Sequence, residues 1–164
     1  MKELKFYIEY LKEGRFKKED VYGNAPFKIV LQPNQFQLLN TLIKIDFIDE
    51  NNFKLSVDFK EDIRYSLINY KNEATKSFKS DALNSTQSFS IDEYINLPFL
   101  KAQIKITNSS SSLAGQSFYI RLNSIAQITS KYQSVRAKGL SGTSLVELSL
   151  TGSNKNRLVD FLNK

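Results

Sequence analysis

The sequence predicts an α+β fold: mainly an antiparallel sheet of six to eight strands, with two or three short helices. Three observations indicate this class. Apolar and polar residues alternate in several segments, polar turns separate those segments, and helical spacing occurs in only two places. One-sided alternation is typical of an antiparallel sheet that has one face in water.

The clearest predicted element is a β-hairpin. Apolar residues occupy every second position from Ile43 to Phe47 and, after the polar turn at residues 49–52, again from Phe53 to Phe59. Two runs of period two around a four-residue turn are the usual pattern of a hairpin.

A second hairpin is predicted further along the chain. Residues 101–107 and 117–122 alternate in the same way, and the polar loop 108–114 connects them. Three weaker patterns also predict strands, at residues 5–10, 27–31 and 88–91, and alternation predicts a further strand at residues 144–150.

Helical spacing first appears after the second hairpin, where Asn123 or Ser124 is placed to cap a short helix. The second helix is predicted over residues 153–164, with Ser153 as its N-cap. Its apolar stripe consists of Leu158, Val159, Phe161 and Leu162. Because that stripe still continues at the last residue, we interpret residues 153–164 as the truncated start of a longer helix.

Residues 71–87 are rich in Ser, Asn and Lys and show little periodicity, so they are predicted to form a mobile loop. Residues 1–164 as a whole are predicted to form a single β-rich domain, since this length suits one domain better than two.

The composition excludes several classes of site. The chain has no His and no Cys, which removes the serine and cysteine triads, disulfides and most zinc sites. Three adjacent carboxylate pairs remain, but neighbouring residues of a strand point to opposite sides. We therefore expect no enzyme activity, no catalytic, cofactor-binding or metal-binding residues and no cofactor, and the binding residues stay unknown. The pairs are Asp49-Glu50, Glu61-Asp62 and Asp92-Glu93.

The formal charge is +6, but the basic residues are scattered along the chain and acidic residues interrupt them. Nucleic-acid binding normally requires basic residues concentrated on one face with aromatic platforms among them, so no nucleic-acid partner is predicted. Tyr7 and Tyr119 are expected on water-facing sides of strands. There they can stack on sugar rings or simply pack against cross-strand neighbours.

Several segments resemble one family. Residues 142–163 (GTSLVELSLTGSNKNRLVDFLN) resemble the strand-to-helix junction of the bacterial polysaccharide co-polymerases, which comprise chain-length determinants and capsule-export tyrosine kinases. Residues 118–137 (FYIRLNSIAQITSKYQSVRA) are similar to the segment before that junction in kinases of the Bacteroidetes type. Residues 10–27 (YLKEGRFKKEDVYGNAPF) and 96–99 (NLPF) also resemble segments of those proteins, whereas residues 35–90 lie outside the likeness.

The resemblance implies a non-catalytic periplasmic module of an inner-membrane protein in capsule and exopolysaccharide export. Its implied partners are other copies of the full-length protein, the polysaccharide polymerase or export machinery, and the glycan. Membrane contact would come only through flanking spans that this sequence lacks. The nucleotide-binding loop and tyrosine-rich tail of the kinases are also missing, so a cytoplasmic kinase domain would belong to the longer parent. The alternative is a stand-alone glycan- or protein-binding β-sandwich.

Overall fold

The computed structural model describes residues 5–80, 85–107, 112–133, 135–142, 144–152 and 154–163. Within these ranges the chain forms fourteen strands and two helices, and all strand pairs are antiparallel. The predicted α+β class, mainly antiparallel with short helices, is confirmed. The elements are β1 (Ile8–Glu13), β2 (Lys18–Asp20), β3 (Phe27–Leu31), β4 (Phe36–Leu38), β5 (Leu42–Phe47), β6 (Asn52–Val57), β7 (Tyr65–Asn69), β8 (Thr75–Phe78), β9 (Ser85–Ser90), β10 (Tyr94–Leu97), β11 (Leu100–Ile106), β12 (Ser117–Leu122), α1 (Ile125–Tyr132), β13 (Arg136–Gly139), β14 (Val146–Ser149) and α2 (Lys155–Leu162).

The described strands form four sheets rather than the single sheet of six to eight strands that was predicted. The largest has the order β2-β1-β12-β5-β6-β9, and the others are β10-β11-β3, β4-β7-β8 and β13-β14. The prediction was wrong on this point because alternation identifies a strand and its buried side without identifying its neighbours.

Aromatic residues pack the sheets against each other. The ring of Phe27 in β3 lies 5.4 Å from Phe47 in β5 and 5.3 Å from Phe118 in β12, measured between centroids. The Tyr10 hydroxyl of β1 also accepts a hydrogen bond from the Ile29 N–H at 3.1 Å. The sheet β10-β11-β3 therefore covers the inner face of the six-stranded sheet, and the main core lies between them.

The two three-stranded sheets are joined through a buried amide. Gln37 of β4 is fully buried, and its Nε2 donates to the carbonyl oxygens of Gln32 and Lys101 at 2.9 and 3.1 Å. Its Oε1 accepts from the Lys101 N–H at 3.0 Å. Because these contacts satisfy the amide at both ends, a polar residue is tolerated at this position in the core.

The first predicted hairpin is confirmed. β5 and β6 pair in the register Phe47 opposite Phe53, and the alternating apolar residues of both strands are buried. At the turn, the Asp49 carboxylate accepts hydrogen bonds from the backbone N–H groups of Asn51 and Asn52, each at 2.8 Å. This local bonding explains why sequence alone was sufficient here.

The second predicted hairpin is wrong. β11 pairs with β10 and β3, whereas β12 pairs with β1 and β5 in the other layer. Both strands have one apolar face, and placing them in opposite layers buries those faces against each other. Residues 108–111 of the predicted connecting loop lie outside the described residues.

The prediction of a loop over residues 71–87 also needs correction. β8 pairs with β7 and β9 pairs with β6, so residues 75–78 and 85–87 of this span form strands, while residues 81–84 lie outside the described part of the chain. Both strands are edge strands with mostly exposed side chains, held by backbone hydrogen bonds. Because such strands carry little hydrophobic periodicity, β8 was missed and only the end of β9 was predicted, as the strand pattern at residues 88–91.

Helix α1 begins where it was predicted. Ser124 is the N-cap: its hydroxyl accepts from the Gln127 N–H at 3.1 Å, and the Gln127 side chain accepts from the Ser124 N–H at 2.9 Å. This capping box satisfies two N–H groups of the first turn, and Ile128 and Tyr132 are buried. Among the described residues, neither helix is long and apolar enough to cross a bilayer.

Candidate binding face of the six-stranded sheet

The six-stranded sheet presents a polar outer face. Register places Tyr119, Lys44, Ser56 and Thr86 side by side on four adjacent strands, β12, β5, β6 and β9. Together with Leu42 they line an outer cleft of about 390 Å³. A shallow cleft with one aromatic ring and several hydrogen-bonding groups has the composition of a ligand site.

Tyr119 is the aromatic residue of this cleft, and its ring is partly exposed, as predicted. The Lys18 ammonium of β2 lies 4.3 Å from the centroid of this ring, a distance at which a cation is attracted to the π face. The Lys18 side chain also forms an ion pair with Glu13, with Nζ 3.4 Å from Oε2. A lysine ammonium therefore lies against one face of the Tyr119 ring.

Tyr7 does not belong to this face, and its predicted exposure is wrong. Its side chain is only 8 % exposed and stacks on Tyr70, with ring centroids 4.2 Å apart. The Tyr70 hydroxyl donates to the Asn123 carbonyl oxygen at 2.8 Å, and burial raises the pKa of Tyr70 above its usual range. Because Tyr7 precedes the first strand, the alternation of that strand does not determine its direction.

A second groove of about 460 Å³ lies on the same outer face, around Glu9. Arg121 Nη2 lies 2.6 Å from Glu9 Oε2, and Lys131 Nζ of α1 lies 3.2 Å from Oε1. Burial alone would raise the pKa of Glu9, but its hydrogen bonds and charge interactions with Arg121 and Lys131 outweigh burial, so this pKa is lowered. Glu9 therefore stays ionised and connects α1 to the sheet.

Opposite charges are paired along this face. Lys44 Nζ lies 2.8 Å from Asp46 Oδ1. Partial burial would raise the pKa of Asp46, but hydrogen bonds from Lys44 and Ser117 lower it. A carboxylate lies near each cation named on this face: Lys18, Lys44, Arg121 and Lys131. The face therefore suits a neutral ligand rich in hydroxyl groups better than a polyanion.

The adjacent carboxylate pairs have local roles in turns. Asp49 binds backbone N–H groups of its own turn, which lower its pKa. Glu93 Oε2 accepts from the Ser90 N–H at 2.7 Å. In the part of the chain that the structure describes, no group of three or more acidic side chains could hold a metal ion. Further contacts of these pairs are Ser112 with Glu50, Lys79 with Asp62 and Lys105 with Asp92.

A buried arginine lies at the centre of a separate group of interacting residues. Arg157 of α2 is 2 % exposed; its Nε donates to Asp20 Oδ2 at 3.1 Å, and its Nη2 lies 3.4 Å from Oδ1. The guanidinium also donates to the carbonyl oxygens of Phe6 at 3.1 Å and Ile8 at 3.3 Å. The ring of Tyr22 lies 4.2 Å from its central carbon. We call these five residues the Arg157 cluster.

The helix that carries Arg157 begins one residue later than predicted. Asn154 is its N-cap, accepting from the Arg157 N–H at 3.0 Å and donating to the Asp20 carbonyl oxygen at 2.8 Å. Ser153, the predicted cap, lies outside the described residues. Gly152 permits close packing here, because a Cβ at that position would lie 2.8 Å from Leu158.

The predicted apolar stripe of α2 faces the core only in part. Leu158 and Phe161 pack against the core, and Phe161 stacks on Tyr132 with centroids 4.9 Å apart. Val159 and Leu162 are 43 % and 37 % exposed. The inward face instead includes Arg157, which stands four residues before Phe161. That helical spacing is the only signal by which the sequence could have indicated this buried charge.

Comparison with known proteins adds no assignment: no protein-family model matches this chain, and no curated protein is significantly similar to it.

Proposed function

We propose that this chain is a non-catalytic periplasmic module of a membrane-anchored protein that regulates capsule or exopolysaccharide chain length and export. It would act through self-association of the full-length protein and through contact with the polymerase or the growing glycan. The segment resemblance described above suggests this role, and one structural observation supports it.

That observation is the Arg157 cluster, which joins both ends of the domain. Arg157 of the last helix binds the backbone of Phe6 and Ile8 at the start of the first strand. The ring of Phe161 lies 6.3 Å from that of Phe6. A domain between two segments that both lead to the membrane needs its two ends close together. Here the buried Arg157 cluster holds the two ends close together. Helix α2 would then transmit the position of the sheets toward the membrane.

Light scattering tests the proposed assembly. We expect this chain alone to be a monomer or weak dimer, and a longer protein that continues through α2 into a membrane anchor to form oligomers. Tethering raises the effective concentration and so allows weak interfaces to hold. The same anchored protein without residues 1–164 serves as the control and should stay monomeric. An anchored, extended protein that remains monomeric would contradict the proposal.

The outer cleft favours a second candidate, a glycan-binding β-sandwich. Tyr119 offers a ring for stacking, and Lys44, Ser56 and Thr86 offer groups for hydrogen bonds to hydroxyls. In this role the face would bind a neutral stretch of polysaccharide, either in the anchored protein or alone.

Replacing Tyr119 with alanine tests that candidate. We expect the variant to bind its best neutral oligosaccharide, identified on a glycan array, about tenfold more weakly in calorimetry, a loss of about 1.4 kcal/mol. Tyr94→Ala is the matched control, because Tyr94 is 38 % exposed on β10 of another sheet. Equal binding by both variants, or no binding by the unaltered chain, would exclude the outer cleft as a glycan site.

A further inference from the structure

The two edges of the six-stranded sheet differ in charge. At one edge, β2 is three residues long and all three are charged, Lys18, Glu19 and Asp20. At the other, β9 has six residues, Ser-Thr-Gln-Ser-Phe-Ser, with no charge and no proline. Natural proteins normally protect an exposed edge with charges, proline or short length. By those criteria β2 is protected and β9 is open to pairing.

The backbone groups that β9 directs outward follow from its hydrogen bonds. The Ile91 N–H donates to the Asn51 carbonyl oxygen at 2.6 Å. The backbone N–H and C=O groups of Ile91 and of every second residue before it therefore point toward β6. The backbone groups of the residues between them point away from β6, toward the open edge of the sheet. Of these, the Ser90 N–H already donates to Glu93 at 2.7 Å. Thr86 and Ser88 are therefore the positions from which a further strand can be hydrogen-bonded. Among the described strands, none other than β6 pairs with β9.

We propose that β9 pairs antiparallel with β9 of a second copy of this chain, across a two-fold axis at Gln87. Thr86 of each copy would then lie opposite Ser88 of its partner, and the two pairs would exchange four backbone hydrogen bonds. The two six-stranded sheets would join into one continuous sheet. Because Thr86 belongs to the outer cleft, both copies would present their clefts on the same face.

The chemistry of β9 favours a second copy as the occupant. When a strand pairs with itself across a two-fold axis, the residue on the axis faces its own equivalent, so a charged residue there would meet a like charge. In β9 that residue is the neutral Gln87, whereas in β2 the central residue is Glu19, which would face a second glutamate. This inference specifies a surface for the self-association that the proposed function includes.

Proline at Ser88 tests the backbone bonds directly. Ser88→Pro removes an outward N–H but leaves the bonds to β6 intact, and proline is tolerated where a strand edge faces solvent. We expect the dissociation constant of its dimer in sedimentation equilibrium to be at least tenfold higher, with the melting temperature nearly unchanged. Ser88→Ala retains the N–H and should dimerise like the unaltered chain. A dimer insensitive to Ser88→Pro, or no dimer at millimolar concentration, would overturn the proposal.

A single cysteine provides a second test that does not depend on tolerating proline. The chain has no cysteine of its own, and Gln87 would face Gln87 of the partner in a pair without hydrogen bonds, where Cα atoms lie about 4.5 Å apart, within disulfide range. We expect Gln87→Cys to form a disulfide-linked dimer much faster than Ser77→Cys on the edge strand β8. Equal rates would contradict β9 pairing.

The anchored protein separates this inference from the proposed function. If it assembles and Ser88→Pro leaves that assembly unchanged, β9 is not the interface, while the proposed function stands. If it stays monomeric but Gln87→Cys links the isolated chain, the β9 pairing stands and the proposed function fails. Pairing with a strand of another protein would appear as loss of a heteromeric complex in Ser88→Pro without any homodimer, and that too would overturn the proposal.

Discussion

Replacing Arg157 with alanine should release α2 from the sheets at a cost of about 3–5 kcal/mol, the range found when one partner of a buried ion pair is removed. Asp20 would lose its bidentate partner, and the carbonyl oxygens of Phe6 and Ile8 would lose their donor. We expect hydrogen exchange of the α2 amides to accelerate more than that of β5 and β6, because no residue of the cluster belongs to or pairs with those strands. Denaturant unfolding should show a smaller free energy of unfolding.

Two controls accompany this variant. One distinguishes loss of the positive charge from loss of the planar contact, and the other measures the effect of removing an exposed arginine. Arg157→Lys retains the positive charge but cannot form the planar two-bond contact with Asp20, so an intermediate loss is expected. Arg136→Ala removes an exposed arginine of β13 and should change the free energy of unfolding by less than about 0.5 kcal/mol. If Arg157→Ala were as stable as Arg136→Ala, the cluster would not hold the ends of the domain together.

Replacing Phe27 with alanine is expected to destabilise the whole domain by about 3–5 kcal/mol, the usual range for a buried phenylalanine. Phe27 is 2 % exposed, and its ring contacts Tyr10, Phe47 and Phe118 of the opposite sheet. Truncation would leave a cavity between the layers and remove all three aromatic contacts. Urea unfolding followed by circular dichroism measures the loss.

Phe16→Ala is the matched control for Phe27→Ala, since Phe16 is the same residue type but 90 % exposed. It should leave the unfolding midpoint nearly unchanged. A similar effect of the two substitutions would show that the domain does not depend on the aromatic core between its sheets.

The fold class, the first hairpin and both helices were predictable because local features specify them. The β5–β6 hairpin combines two alternating runs with an Asp49 turn that binds its own backbone. Helix α1 combines apolar spacing with a capping box inside four residues. In each case the interacting groups lie near each other in the sequence, so the pattern contains most of the information. Tyr119 was likewise predictable as an outer residue from the alternation of its own strand.

What the sequence could not determine are the features whose partners lie far apart in the chain. β11 and β12 alternate like the strands of one hairpin, yet they lie in opposite layers because that arrangement buries both apolar faces. Residues 75–78 and 85–90 carry few apolar residues, and pairing with β7 and β6 makes them strands. The buried state of Arg157 depends on Asp20, 137 positions away. Alternation and capping act over a few residues, so the sequence alone determined the strands that have one apolar face, such as β5 and β6, and the start of α1. The choice of neighbouring strands and the burial of a charge depend on which surfaces exclude water together, and only the tertiary structure decides that.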